Sequence, residues 1–281
     1  MAVKNTLCAA IAQFDIQLFQ KEYNLKKIER LASQARNLQN ADLVVFPECS
    51  LTGYCMDSMD EVRRVAEPKD GPSIQAVSHM SRTMGIGIVF GMIEMDGGAF
   101  YNTAVCCMPD GSAFYYRKTH LPQMGVDRLL NSGDTLEPFE TEYGTVGMII
   151  CYDLRFPEPA RAVALQGARM ILQPTNLPDG GEAHPDFFTR ARACENRVFL
   201  LSVNRIGQER DCHFIGRSQI VDPSGNILAE LGAEEGVASA RIDLAKAEQK
   251  DIIRTPETNE MHVFSDRRPE LYTSLCKENR T

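Results

Sequence analysis

The chain has 281 residues, 43% of them hydrophobic and 24% charged, with a formal net charge of −8. Such a chain is long enough for one large α/β domain or two small ones, and its balance is that of a soluble globular protein. The negative charge argues against a nucleic-acid surface, and no apolar run approaches the roughly 18 residues of a membrane span.

The first residues lack a charged segment followed by an apolar stretch and a cleavage site, so no secretory signal is expected. Leu7 to Phe14 reads as a strand instead. Leu25, Ile28, Leu31, Ala35 and Leu38 recur at helical spacing and predict a helix over Tyr23 to Gln39. Asp42 to Phe46 is a short apolar strand ending in Pro47-Glu48. Ser50 to Gly71 reads as irregular, Ser73 to Met84 as a helix. Ile86 to Glu94, Tyr101 to Met108 and Ser112 to Lys118 are strands separated by Gly- and Pro-containing turns, an antiparallel meander. Thr145 to Cys151 opens as a buried strand, and Pro157 suits the first turn of a helix reaching Gly167. Arg169 to Pro174 and Val198 to Asn204 read as buried strands flanking a loop and a helix, Asp186 to Asn196. His213 to Asp222, Ile227 to Leu231 and Gly236 to Ile242 complete the strands. Leu244 to Ile253 is expected to be the last helix, before a polar tail over residues 255–281. Helices and strands alternate at both ends around the meander, which predicts one layered α/β domain with a mixed sheet over residues 1–281.

The nine cysteines form no C-x-x-C pair and no cluster with zinc spacing. Reduced thiols in a reducing, cytoplasmic compartment are expected. Cys151 stands apart, at the end of a buried strand and near a helix start, where a helix dipole favours thiolate. A plain core cysteine is the alternative. Glu48 and Lys118 also end apolar strands, and each alone reads as a solvated charge. Together a thiol, a carboxylate and an amine make a site. A carboxylate in a dry pocket has a raised pKa suited to proton transfer, and an amine beside it balances charge and steadies an oxyanion.

The segments VVFPECSLTGY, YRKTHLP and GMIICYDLRFPE resemble the three signature regions of the nitrilase superfamily, the carbon–nitrogen hydrolases. ARACENRVF and GRSQIVDPSG resemble later parts of the same family, so the likeness spans nearly the whole chain. The resemblance implies a four-layer α-β-β-α sandwich, homodimers or larger homo-oligomers, and a Glu48–Lys118–Cys151 triad. Family members often carry a second glutamate soon after the lysine. Here that stretch has none, and either Asp127 or a residue of another loop is the candidate to stand in.

The chemistry that follows is attack of Cys151 on an amide carbonyl, with Lys118 and the Tyr152 backbone N–H holding the oxyanion. Glu48 moves the protons. The expectation includes no metal and no organic cofactor. Arg155 is a candidate grip for a substrate carboxylate, with an ion pair to Asp153 or Glu158 as the alternative. Asn176 is a candidate pocket residue, with a structural loop cap as the alternative, Tyr54 is another candidate, and His120 reads as structural. The expected substrate is a small carboxylate-bearing amide, hydrolysed to acid and ammonia. N-carbamoyl amino acid or amine hydrolysis, a nitrile substrate and a non-catalytic binding role are the competing readings.

Overall fold

A computed structural model describes residues 4–277. The strands, in chain order, are β1 (Thr6–Gln13), β2 (Leu43–Val45), β3 (Gly87–Asp96), β4 (Ala99–Cys107), β5 (Ala113–Arg117), β6 (Phe139–Thr141), β7 (Gly144–Met148) and β8 (Met170–Pro174). They continue as β9 (Phe199–Val203), β10 (Ile206–Glu209), β11 (Cys212–Ile215), β12 (Gln219–Val221), β13 (Ile227–Glu230), β14 (Gly236–Asp243), β15 (Asp251–Thr255) and β16 (Asn259–His262). The helices are α1 (Lys21–Gln39), α2 (Met59–Val65), α3 (Pro72–Met84), α4 (Pro157–Leu165), α5 (Thr189–Asn196) and α6 (Ala245–Glu248).

Two six-stranded sheets form, in the orders β14-β1-β2-β3-β4-β5 and β13-β12-β9-β8-β7-β6. Each has a parallel centre with antiparallel flanks. The alternation along β1 shows how the layers arise. Leu7, Ala9 and Ile11 face the second sheet, meeting Met148, Leu172, Phe199 and Leu201 in one core. Ala10 and Ala12 face the other way, onto Ile28, Leu31 and Ala35 of α1 and Val77 of α3. The second sheet buries Ile171 and Leu200 against Ala160 and Val163 of α4 and Ala193 of α5. The result is an α-β-β-α sandwich, as the resemblance implies; the residue pattern alone implies only a layered α/β domain with a mixed sheet, and there are two such sheets.

Four expectations change. Ser50 to Gly71 holds α2, whose Ser58 side chain accepts the Glu61 N–H as an N-cap. The expected strand His213 to Asp222 is two strands in different sheets, broken where Gly216 and Arg217 both adopt positive φ (66° and 63°). The helix expected from Asp186 begins as a π-helical turn, His184–Phe188, that runs into α5. The helix expected over Leu244 to Ile253 stops after α6, and the chain turns into a β15–β16 hairpin that begins inside the expected helix and runs into the expected tail. Leu244 and Ala247 are buried but Ile253 is exposed, so no apolar stripe extends the helix, and the β-branched Ile252-Ile253 pair suits a strand. Residues 278–281 of that tail lie outside the described residues. No helix among the described residues is long and apolar enough to cross a membrane.

Candidate active site

Glu48, Lys118, Cys151 and Asn176 each lie just past the end of a sheet strand, where ligands meet open α/β sheets. Glu48 follows β2 on a tight turn, and the next residue, Cys49, takes φ 48°. A Cβ on Gly91 of β3 would stand 2.2 Å from the Cys49 nitrogen. Glycine there lets the Glu48 turn lie directly on the neighbouring strand.

Lys118 reaches Glu48 Oε1 at 2.7 Å and Asp127 Oδ2 at 2.6 Å. Asn102, on β4, donates through Nδ2 to Glu48 Oε1 (2.7 Å) and Asp127 Oδ1 (2.8 Å). The Tyr54 hydroxyl donates to Asp127 Oδ2 (2.8 Å). All of these side chains are buried. Burial raises the Glu48 carboxyl to about 7, with Lys118 opposing and the Asp127 charge adding to the rise. Burial by itself lowers Lys118, but Asp127 and Glu48 outweigh it and hold the ammonium well above the ordinary lysine range. Glu48 Oε2 is buried with no hydrogen-bond partner among the described residues, so one carboxylate oxygen is pinned and the other is free.

Cys151 leaves the second sheet after β7 and adopts φ 44°, an uncommon conformation for a residue with a Cβ. Its sulfur lies 3.9 Å from the Asn176 carbonyl oxygen. The expected helix N-terminus is not there. Cys151 heads a short 3₁₀ turn, Cys151–Arg155, and α4 begins only at Pro157. Burial and then the Glu48 charge push the thiol up to about 12, against the pull of Lys118. The resting sulfur is therefore a neutral thiol within electrostatic reach of both charged partners. The first hydrogen bond of the turn runs from Asp153 N to Ile150 O, which leaves the Cys151 and Tyr152 N–H groups without acceptors in the turn.

Asp153 ties the cysteine and lysine segments together. Its carboxylate accepts five hydrogen bonds, from Tyr116, Thr119, the His120 N–H and Nδ1, and Ile150 N. His120 is thereby occupied and stacks on Phe156 at 4.3 Å, the structural histidine expected.

A sequence model described as "Carbon-nitrogen hydrolase" matches residues 8–251. The chain belongs to the carbon–nitrogen hydrolase family. It is 36% identical to a nitrilase of Pyrococcus abyssi over 94% of this chain and 98% of that one. It is 34% identical to a 2-oxoglutaramate amidase of Bacillus subtilis, over 92% and 97%. An amidase from Nesterenkonia sp. AN1, solved with an acetamide moiety covalently added at its active-site cysteine, superposes with a TM-score of 0.79. That pair is 25% identical, with 98% of each chain covered. The chain is an enzyme of the nitrilase superfamily, and the sandwich described above is the superfamily's fold.

Around the cysteine of this carbon–nitrogen hydrolase, several polar groups are buried with no hydrogen-bond partner among the described residues. Both side-chain polar atoms of Asn176, Thr175 Oγ1 and Gln173 Oε1 are among them. Arg155 is exposed, pairs with neither Asp153 nor Glu158, and lies over the Phe188 ring at 5.2 Å. The half-buried Tyr152 side chain packs edge-on against Phe156 at 5.1 Å. Sequence reasoning passed over Asn102 and the stitching role of Asp153. Asn102 left a signal: a lone amide in the apolar strand Ala99–Cys107 must find partners once buried.

Proposed function

We propose that this carbon–nitrogen hydrolase is an amidase for small amides whose acyl part carries a carboxylate, with Glu48, Lys118 and Cys151 as its catalytic residues. Glu48 Oε2 takes the thiol proton as the Cys151 sulfur bonds to the amide carbon. The oxyanion so formed is held by Lys118 and the Tyr152 N–H. Glu48 passes the proton to the nitrogen, the C–N bond breaks, ammonia leaves, and the acyl group remains as a thioester. Glu48 then takes a proton from water as the hydroxide oxygen attacks the thioester carbon. The C–S bond breaks, the carboxylic acid departs, and the proton returns to sulfur. Asp127 fills the place of the second family glutamate by holding Lys118 charged. Tyr54 positions Asp127, and Asn176 offers its unpartnered amide to the substrate.

The observation that carries the substrate reading is Arg155, a guanidinium with no carboxylate partner among the described residues, on the turn that Cys151 heads. It matches the chemistry in the name of the 2-oxoglutaramate amidase relative, an amide whose acyl chain bears a carboxylate. Ammonia release from a panel of acidic amides, neutral amides, ureido acids and nitriles tests the reading. Acidic amides are expected to be the best substrates. A preference for ureido acids or nitriles overturns the choice of substrate, and silence across the panel overturns the catalytic reading.

A cytoplasmic homodimer or larger homo-oligomer fits the same reading. All nine cysteines are free, a state that reducing compartments maintain. Ile253, Leu271 and Leu275 expose apolar surface near the C-terminus for a second copy.

A further inference from the structure

His184 belongs to no network described so far. It is 4% exposed, and its Nδ1 has no hydrogen-bond partner among the described residues. It opens the π-helical turn that follows the Asn176 loop, and this turn packs against the Cys151–Arg155 turn. One ring organises the neighbourhood. Phe188 meets the imidazole edge-on at 5.5 Å and carries the Arg155 guanidinium over its face at 5.2 Å. Arg192 approaches the same ring at 5.8 Å, but its own donors are used by Glu195 and by the Leu154 and Arg155 carbonyls. It holds the main chain under Arg155 and leaves the Arg155 side chain free.

An imidazole buried beside cations has one ready use. Burial first, then Arg155, Arg192 and Lys118, lower the His184 imidazole to about 4, so the ring is neutral at physiological pH. A neutral imidazole keeps one N–H donor without adding charge. A carboxylate has two oxygens and about four acceptor positions, more than one guanidinium fork fills.

We propose that His184 is the second half of the substrate-carboxylate site, donating an N–H to the carboxylate that Arg155 grips. This rests on the acidic-amide reading above. It makes the recognised group a carboxylate held from two walls, so chain length from the scissile amide to the carboxylate is selected as well as charge. A longer or shorter acyl chain reaches Arg155, which is exposed and adaptable, but misses the fixed ring.

The test compares succinamate with butyramide, an acidic and a neutral amide of equal chain length, on the full-length protein. His184→Phe keeps an aromatic ring in the space and removes the donor. It is expected to raise KM for succinamate about tenfold to hundredfold more than for butyramide, the scale of a hydrogen bond to a charged group. His184→Asn offers an amide N–H near the Nδ1 position and is expected to recover part of the difference. Succinate, which binds without reacting, is expected to inhibit the His184→Phe protein more weakly than wild type by the same factor. Equal changes on both amides, or an unchanged succinate inhibition constant, overturn the role of His184. Should His184→Phe fail to fold, His184→Asn decides alone: a preference for succinamate over butyramide smaller than wild type supports the role, and one equal to wild type overturns it. The two readings separate in the wild-type protein. If it does not prefer succinamate, the acidic-amide reading fails. If it does and His184 variants prefer it equally, only the inference about His184 fails.

Discussion

The Lys118 ammonium lies 2.7 Å from Glu48 Oε1, with both side chains shielded from solvent. Asp127 shares the same ammonium, so one buried cation serves two carboxylates. Burial lifts the Glu48 carboxyl to about 7, out of the ordinary carboxylate range, against the pull of Lys118 and with the Asp127 charge adding to the rise. A carboxyl placed there can both accept and return a proton at physiological pH.

Activity should therefore depend on Glu48 ionisation. Glu48 must be deprotonated to accept the thiol proton, so kcat/KM should rise with pH through an apparent pKa near 7 and fall below it. Glu48→Gln should lose at least about 10²-fold in kcat. A rate that is level from pH 5 to 8 would contradict the assignment of Glu48 as the base.

Asp127→Asn keeps the size and most hydrogen bonds of the side chain but removes its charge. The Asp127 charge raises Glu48, so its removal should move the acid limb of the pH profile to lower pH. Lys118 loses one of the two charges that keep it protonated, and kcat should drop about tenfold or more. An acid limb that stays in place, or moves up, excludes this coupling.

Cys151→Ala should abolish turnover and leave the melting temperature close to wild type. Alkylation of the wild-type cysteine is the finer probe. A thiol pushed up to about 12 by burial and Glu48 reacts only as its proton is taken. Peptide mapping after iodoacetamide should thus show Cys151 labelling that increases as Glu48 ionises and drops in Glu48→Gln. Labelling of the exposed Cys194 and Cys276 should be the same in both proteins. Equal Cys151 labelling in the two would show that Glu48 is not its proton acceptor.

Arg155→Ala should cost about 1.5–3 kcal/mol more in kcat/KM on succinamate than on butyramide, the scale of a charged hydrogen bond. Arg155→Lys should recover only part, because an ammonium lacks the planar fork. Equal losses on the two amides would assign Arg155 a structural task on Phe188.

Much of this protein is written locally. Leu7, Ala9 and Ile11 alternate with Ala10 and Ala12, which marks a strand buried on both faces, and the α1 stripe marks its covering helix. Glu48, Lys118 and Cys151 stood out in the sequence because each follows an apolar strand inside a segment resembling a family signature. Short-range pattern carries those features, since side-chain direction repeats every two or every 3.6 residues. What pattern cannot carry is which loops meet. Asp127 is nine positions from Lys118 with no mark of its partner, and the contact appears only when the meander and the loop after it close over Glu48. Asn102 lies 54 positions from Glu48, and His184 acquires its cationic neighbours from other elements. The thiolate expectation failed for the same reason. The charge state of Cys151 is set by burial and by Glu48, which arrives from the opposite sheet, and not by the helix that follows it in sequence. Desolvation and long-range pairing exist only once the two sheets have packed, so proton affinity and pocket wall belong to the tertiary structure.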